Sequence, residues 1–142
     1  MMPAAVSDLK EINLDYLKLE VDPGASLIRL FWKRQVTNSE LRTGFYTAAQ
    51  VAETYGCKLW FGDSRNTSML NIADQDFLVK DLLTILSNAG IRKVARLVDE
   101  QEAVVTTSFS MKLKIESEHP ENIRFETAVF TNAAAALAWL QE

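Results

Sequence analysis

The sequence predicts a single α/β domain: a mostly parallel sheet with an N-terminal antiparallel hairpin and covering helices. Short apolar or alternating segments typical of strands are separated by longer segments whose apolar residues recur at helical spacing. Only a tight turn separates the first two strand segments, whereas the later ones are joined by helical segments long enough for crossovers between parallel strands. The predicted order is ββαβαβαβα over residues 14–142, after a flexible lead-in at residues 1–13.

The predicted hairpin begins with residues 14–21, in which apolar and polar residues alternate as in a half-buried strand. The tetrapeptide Asp22-Pro23-Gly24-Ala25 predicts a turn, because proline presets φ and glycine readily supplies a positive φ. Residues 27–33 form the second strand of the pair.

The first helix is delimited by local signals. Thr37 and Glu40 have the spacing of a capping box, and Gly56 suits the left-handed position that follows a helix. The residues that recur at helical spacing between them are Leu41, Phe45, Ala48, Ala49, Ala52 and Tyr55.

The second helix is predicted between a short strand at residues 58–61 and another at residues 93–98. Asp74 is expected to cap its start, and Gly90 follows its last turn. Its apolar stripe comprises Phe77, Leu78, Leu82, Ile85, Leu86 and Ala89.

Residues 100–117 fit two patterns, since the stretch SFSMKLKIES alternates like a strand while the wider segment also has apolar residues at helical spacing. Asp99 followed by Glu102 is a capping signal, and the flanking strands require a crossover, so a helix is predicted. Residues 123–130 then form the last strand, and Asn132 caps a final helix of strong helix formers.

This order and the C-terminal segment FETAVFTNAAAALAWL are similar to those of the bacterial STAS and SpoIIAA-like proteins. The family's closing strand is followed by Phe-Thr and by a helix that ends Ala-x-x-Trp-Leu, here Phe130, Thr131, Ala136, Trp139 and Leu140. The segment KLWFGDSRN likewise resembles a family strand that ends in Asp with Arg two residues on, here Asp63 and Arg65. From about residue 14 onward the resemblance implies this fold and a non-enzymatic domain that binds a protein partner or a small ligand.

The chain departs from the family at its phosphorylation motif. The family's antagonists place a phosphorylatable serine at the start of the next helix, in an Asp-Ser-Ser-Gly-like motif. Here Ser64 is followed by Arg65 and Asn66, and the next helix is predicted about ten residues later. Ser64, Thr67 and Ser68 are the candidate phosphorylation sites, but the sequence does not favour the switch.

A ligand or partner site is predicted where parallel strands end. Asp63 and Asp99 each follow a strand, at the edge where open α/β sheets bind ligands, and Ser64 and Arg65 lie beside Asp63 in the sequence. Each aspartate also has a structural interpretation. Asp99 would cap the third helix, and Asp63 would satisfy backbone donors in its turn and pair with Arg65.

Two alternatives arise from the same segment. Gly62-Asp63-Ser64 is similar to the tripeptide of a class of esterases, but the only histidine, His119, lies in a predicted loop, so a hydrolase using Ser64 is disfavoured and no catalytic residue is predicted. Residues 64–73 are long for such a connection and contain Met69, Leu70 and Ile72, which suggests a lid over a small lipid or other apolar ligand.

Composition excludes several other functions. The net charge is −4 without a basic stripe, and no apolar run approaches about 20 residues, so neither nucleic-acid binding nor a membrane span is predicted. No cofactor motif or cluster of histidines and cysteines occurs, so no cofactor or metal is expected. The single Cys57, predicted to be a buried small hydrophobe, and the absence of a signal peptide pattern favour the cytoplasm. A homodimer is considered because small regulatory domains often pair, although no residue indicates one.

The aromatic pairs in the strands are predicted to lie in the core. Adjacent strand residues point to opposite faces, so helices on both faces would bury Phe31, Trp32, Trp60 and Phe61. Were one face open, Trp32 would belong to an exposed apolar surface for a partner.

Overall fold

The computed structural model describes residues 9–67, 81–100 and 125–142. Six strands form one sheet in the order β1-β2-β3-β4-β5-β6: β1 (Lys10–Asn13), β2 (Leu17–Asp22), β3 (Leu27–Trp32), β4 (Leu59–Asp63), β5 (Lys93–Leu97) and β6 (Glu126–Phe130). The α-helices of the described residues are α1 (Asn38–Thr54), α2 (Leu83–Asn88) and α3 (Ala133–Gln141). The first three strands pair antiparallel and β3 to β6 pair parallel, which confirms the predicted α/β class.

The first strand was not predicted. Residues 1–13 were expected to be a flexible lead-in, but Lys10–Asn13 pairs antiparallel with β2, with Ile12 opposite Leu19. Only Ile12 of this strand is part-buried, so backbone hydrogen bonds to β2 hold β1 in place. The side chains of β1 therefore give little indication of a strand in the sequence. Residues 1–8 lie outside the described part of the chain.

The hairpin turn forms as predicted, with one difference in detail. Residues Pro23–Ala25 make a single 3₁₀ turn, and the backbone amide of Ala25 donates to the Asp22 carboxylate at 3.2 Å. The left-handed residue is Ser26, with φ 55°, rather than Gly24. The positive φ thus falls two residues later than predicted, directly before β3.

Helices cover both faces of the sheet. Alternation directs one set of strand residues toward α1 and α2: Leu17, Leu19, Val21, Ile28, Leu30, Trp32 and Trp60. The other face packs against α3 through Leu27, Phe61, Ala95 and Leu97. Trp32 is 2% exposed, Trp60 3% and Phe61 2%, which confirms the core interpretation for these three and contradicts an exposed apolar surface at Trp32. Phe31 is only part-buried and packs against the residues on the α3 face.

The signals that delimit α1 act as predicted. The backbone amide of Glu40 donates to Thr37 Oγ1 at 3.2 Å, and the amide of Thr37 donates to Glu40 Oε1 at 3.0 Å. Arg34 adds two hydrogen bonds to the Glu40 carboxylate, at 3.0 and 2.8 Å. Gly56 has φ 66°, the left-handed conformation expected after the helix.

The later elements agree where they are described. Gly90 follows α2 with φ 93°, and the amide of Ala135 donates to the capping Asn132 side chain at 2.8 Å. The expected cap at Asp74 and the start of the last strand at residues 123–124 lie outside the described residues. So does all but the first residue of the helix predicted at residues 100–117. Within residues 9–67, 81–100 and 125–142, no helix is long and apolar enough to cross a membrane.

Candidate functional site

The carboxyl ends of β3 to β6 meet at one edge of the sheet, here called the carboxyl edge. Asp63 ends β4, and Ser64 extends the ladder because its amide donates to the carbonyl of Leu97 at 2.9 Å. Asp99 lies two residues beyond the end of β5 and is exposed. The structure therefore places Asp63, Ser64 and Asp99 at the same edge, as expected from their positions after parallel strands.

Asp63 and Arg65 form an ion pair within one turn. Arg65 donates from Nε to Asp63 Oδ1 at 3.0 Å, from Nη2 to Oδ2 at 2.7 Å, and from its own backbone amide to Oδ1 at 3.1 Å. The Asp63 side chain is 12% exposed and that of Arg65 is 51% exposed. The hydrogen bond to Asp63 raises the pKa of Arg65. A nearly buried carboxylate thus holds an exposed guanidinium in one orientation.

The Asp63 carboxylate is engaged by Arg65, within its own turn, rather than left open beside Asp99. Among the described residues, no group of three histidine, cysteine, aspartate or glutamate side chains lies close enough to hold a metal ion. The structural role predicted for Asp63 therefore accounts for its position.

The candidate hydroxyls of this segment are buried. Ser64 is 3% exposed and Thr67 is 5% exposed, and the amide of Thr67 donates to the Ser64 carbonyl at 3.3 Å. Within the described part of the chain, the Thr67 hydroxyl has no hydrogen-bond partner. A nucleophile must be reachable by its substrate and a phosphorylated hydroxyl by its kinase, so hydroxyls this buried would need the turn to open for either role. Ser68, the rest of the proposed lid and His119 lie outside the described residues.

Cys57 is an inert thiol by position. It is 1% exposed, and burial, with a smaller contribution from the charge of Asp22, raises its pKa to about 11. The thiolate is the reactive form of cysteine, so little of it exists at neutral pH. The interpretation of Cys57 as a small buried hydrophobe is confirmed.

The opposite edge of the sheet carries a feature that the sequence analysis missed. Lys58 precedes β4, Arg92 precedes β5 and Lys93 begins it, so parallel pairing brings these three cations together. They line a cleft of ≈ 710 Å³, here called the amino-edge cleft, whose other lining residues are Ser87, Gly90, Ile91, Phe125 and Glu126. The sequence did contain one sign of this cleft, a basic residue just before each of two parallel strands. That these residues come together depends on the strand register, which the sequence alone does not give.

No protein-family model, curated protein or solved structure matches the chain.

Proposed function

We propose that the chain is a non-enzymatic binding or regulatory module of the STAS/SpoIIAA-like kind, with a protein partner that docks at the carboxyl edge around Arg65. The observation that carries this proposal is the exposed Arg65 guanidinium held by the nearly buried Asp63 carboxylate. A side chain already fixed in one orientation loses less conformational entropy on binding than a free one.

The chemistry of the held guanidinium indicates what it would contact. Asp63 occupies Nε and Nη2, which leaves Nη1 and the exposed side of the guanidinium for a second acceptor. Arginine suits carboxylate and phosphate acceptors in interfaces because its donors are planar and its charge is weakly hydrated. The partner contact is therefore expected to be an acidic or carbonyl-rich surface.

Burial of the neighbouring hydroxyls supports a contact surface over a catalytic site or a phosphorylation switch. Ser64 and Thr67 are almost fully buried, so neither presents its hydroxyl to solvent beside Arg65. A partner at this edge would contact the exposed Arg65 and Asp99 and would leave the turn closed.

The element order and the C-terminal segment support kinship with the STAS and SpoIIAA-like proteins. The segment has a clear packing role: the ring centroids of Phe130 and Trp139 are 5.7 Å apart, and Leu140 of α3 is 2% exposed against the sheet. These residues pack α3 against the sheet. They therefore support the proposed fold but give no information about the partner.

Affinity capture from the protein's own cells tests the proposal. Tagged wild-type protein is compared with Arg65→Gln and with Arg92→Gln, a matched loss of one exposed guanidinium at the opposite edge of the sheet. We expect a specific protein retained by wild type and Arg92→Gln and reduced about tenfold or more with Arg65→Gln, as loss of one charge-assisted contact implies.

Quantitative mass spectrometry of the captured material gives the ratio, and unfolding curves establish that each variant is folded. Equal capture by all three proteins, or a loss confined to Arg92→Gln, would refute a partner site at the carboxyl edge.

A further inference from the structure

The amino-edge cleft is built on backbone that the sheet fixes. The amide of Arg92 donates to the carbonyl of Lys58 at 2.7 Å, and the amide of Glu126 donates to the carbonyl of Arg92 at 3.0 Å. The amino ends of β4, β5 and β6 are therefore held side by side, and the Cα positions of the lining side chains do not depend on a free loop.

Two of the three cations in the cleft make no side-chain hydrogen bond or ion pair within the described residues. Lys93 donates from Nζ to the carbonyl of Trp139 at 2.9 Å and lies 4.9 Å from the centre of the Trp139 ring. Within the described ranges, the side chains of Lys58 and Arg92 make no ion pair or hydrogen bond, and both residues are exposed.

A competing explanation is that these cations serve only the ends of helices. Helix C-termini gather at the amino edge of a parallel sheet, and cations there offset the partial negative charge of the last carbonyls. Lys93 does this by direct contact with Trp139 of α3. Lys58 and Arg92 follow α1 and α2 but donate to none of their carbonyls, so helix ends account for one of the three cations.

We propose that the amino-edge cleft binds a small ligand that carries a phosphate group, held between Lys58 and Arg92. Three cations and the one carboxylate of Glu126 line the cleft, and the resulting excess of two positive charges matches a phosphate monoester, which carries a charge of about −1.5 to −2 at neutral pH. Arginine and lysine together supply a fork of donors and a point charge for its oxygens. Glu126 on the lining repels any anion, so the preference for a doubly charged phosphate comes from the two cations, which a singly charged anion would neutralise only in part.

The rest of the cleft suits the organic part of such a ligand. The buried side chains of Ile91 and Phe125 provide an apolar floor, and its ≈ 710 Å³ lies within the range of about 300–1,000 Å³ usual for small-molecule sites. This inference is independent of the partner proposed at the carboxyl edge, since no residue is shared between the two.

Titration calorimetry with three probes tests the inference: phenyl phosphate, inorganic phosphate and benzoate. We expect phenyl phosphate to bind wild type, and Lys58→Gln and Arg92→Gln each to weaken it about tenfold or more. Arg65→Gln, at the carboxyl edge, should bind it as wild type does. Added salt should weaken binding further, because the cleft is open to solvent.

Each outcome has one meaning. Phenyl phosphate bound more tightly than inorganic phosphate supports an organic phosphate as ligand, and equal binding of both supports free phosphate. Absence of binding by both phosphates, affinity unchanged in Lys58→Gln and Arg92→Gln, or benzoate bound as tightly as phenyl phosphate overturns the inference. Because Arg65→Gln is the control here and Arg92→Gln is the control for partner capture, failure at one edge is distinguishable from failure at the other.

Discussion

Gly44 of α1 packs directly against the indole of Trp32 in β3. A Cβ atom at Gly44 would lie 2.7 Å from Cη2 of the Trp32 indole and 3.1 Å from a methyl carbon of Leu17. Real Cβ atoms almost never show contacts under 3.0 Å. The indole is itself fixed, because the Phe45 ring meets it edge-on with centroids 5.0 Å apart.

Gly44→Ala is therefore expected to destabilise the domain by about 1–3 kcal/mol, the usual cost of overpacking a core. Helix propensity alone predicts the opposite sign, since alanine is better than glycine by about 1 kcal/mol in a helix interior. Urea unfolding at neutral pH measures the change. Thr43→Ala, at the exposed neighbouring position, is the control and should be neutral or slightly stabilising. A Gly44→Ala protein as stable as wild type would show that α1 does not pack this closely against Trp32.

The part of the fold that the sequence predicted correctly depends on local signals. The start of α1 follows from Thr37 and Glu40, which are three residues apart, and its end from the left-handed Gly56, so each signal is confined to about one helical turn. The strand β1 was missed because backbone pairing with β2 holds it, and a ladder of this kind leaves no periodic pattern in four mostly exposed residues.

The same distinction applies to the two edges of the sheet. The pairing of Asp63 with Arg65 could be predicted because the residues are two apart in one turn. The gathering of Lys58 and Arg92 could not, since it depends on which strands are neighbours and in what register. Gly44 was not singled out for a related reason: its neighbour Trp32 is set by how α1 packs on the sheet.

The pH dependence of stability is expected to involve Glu40. Hydrogen bonds from Arg34 and from the amide of Thr37 lower the pKa of Glu40 from 4.5 to about 2. A lowered folded-state pKa adds stability that is present above about pH 4.5 and is lost as the pH falls toward 2. Glu40→Gln should therefore be less stable than wild type at pH 7, and the difference should shrink below pH 4.5.

Unfolding curves at a series of pH values measure that difference. Glu53→Gln removes an exposed carboxylate near the other end of α1 and is the matched control. A stability difference for Glu40→Gln that is constant from pH 7 to pH 2 would contradict the assigned role of its charge.

Cys57 is expected to react only when the protein unfolds. Its pKa of about 11, against an ordinary 9, reduces the thiolate fraction at pH 8 about a hundredfold, and its burial blocks reagents directly. Disulfide-exchange labelling at pH 8 should thus be at least about a hundredfold slower in the folded than in the unfolded protein. An exposed thiol at Thr43→Cys, in a Cys57→Ser background, gives the reference rate. Rapid labelling of folded wild type would mean that the loop after α1 opens readily.

The Asp63–Arg65 pair is expected to be stronger than an ordinary surface ion pair. Exposed pairs contribute roughly 0.2–1 kcal/mol. Here two parallel hydrogen bonds join the groups and the Asp63 side chain is 12% exposed, but the guanidinium is half exposed and screened by water. A double-mutant cycle with Asp63→Asn and Arg65→Gln should give a coupling free energy of about 1 kcal/mol.

The cycle also tests the physical basis of the proposed partner site. The pair Lys18–Glu20, with both side chains about one-third exposed and 3.1 Å between its charged atoms, is the reference and should give a smaller coupling in the same unfolding measurements. Removing Arg65 leaves the nearly buried carboxylate with only a backbone amide, so Arg65→Gln alone should cost more than Asp63→Asn. A coupling no larger than the reference would mean that Arg65 is not held by Asp63, and the entropic advantage proposed for its role in binding would be lost.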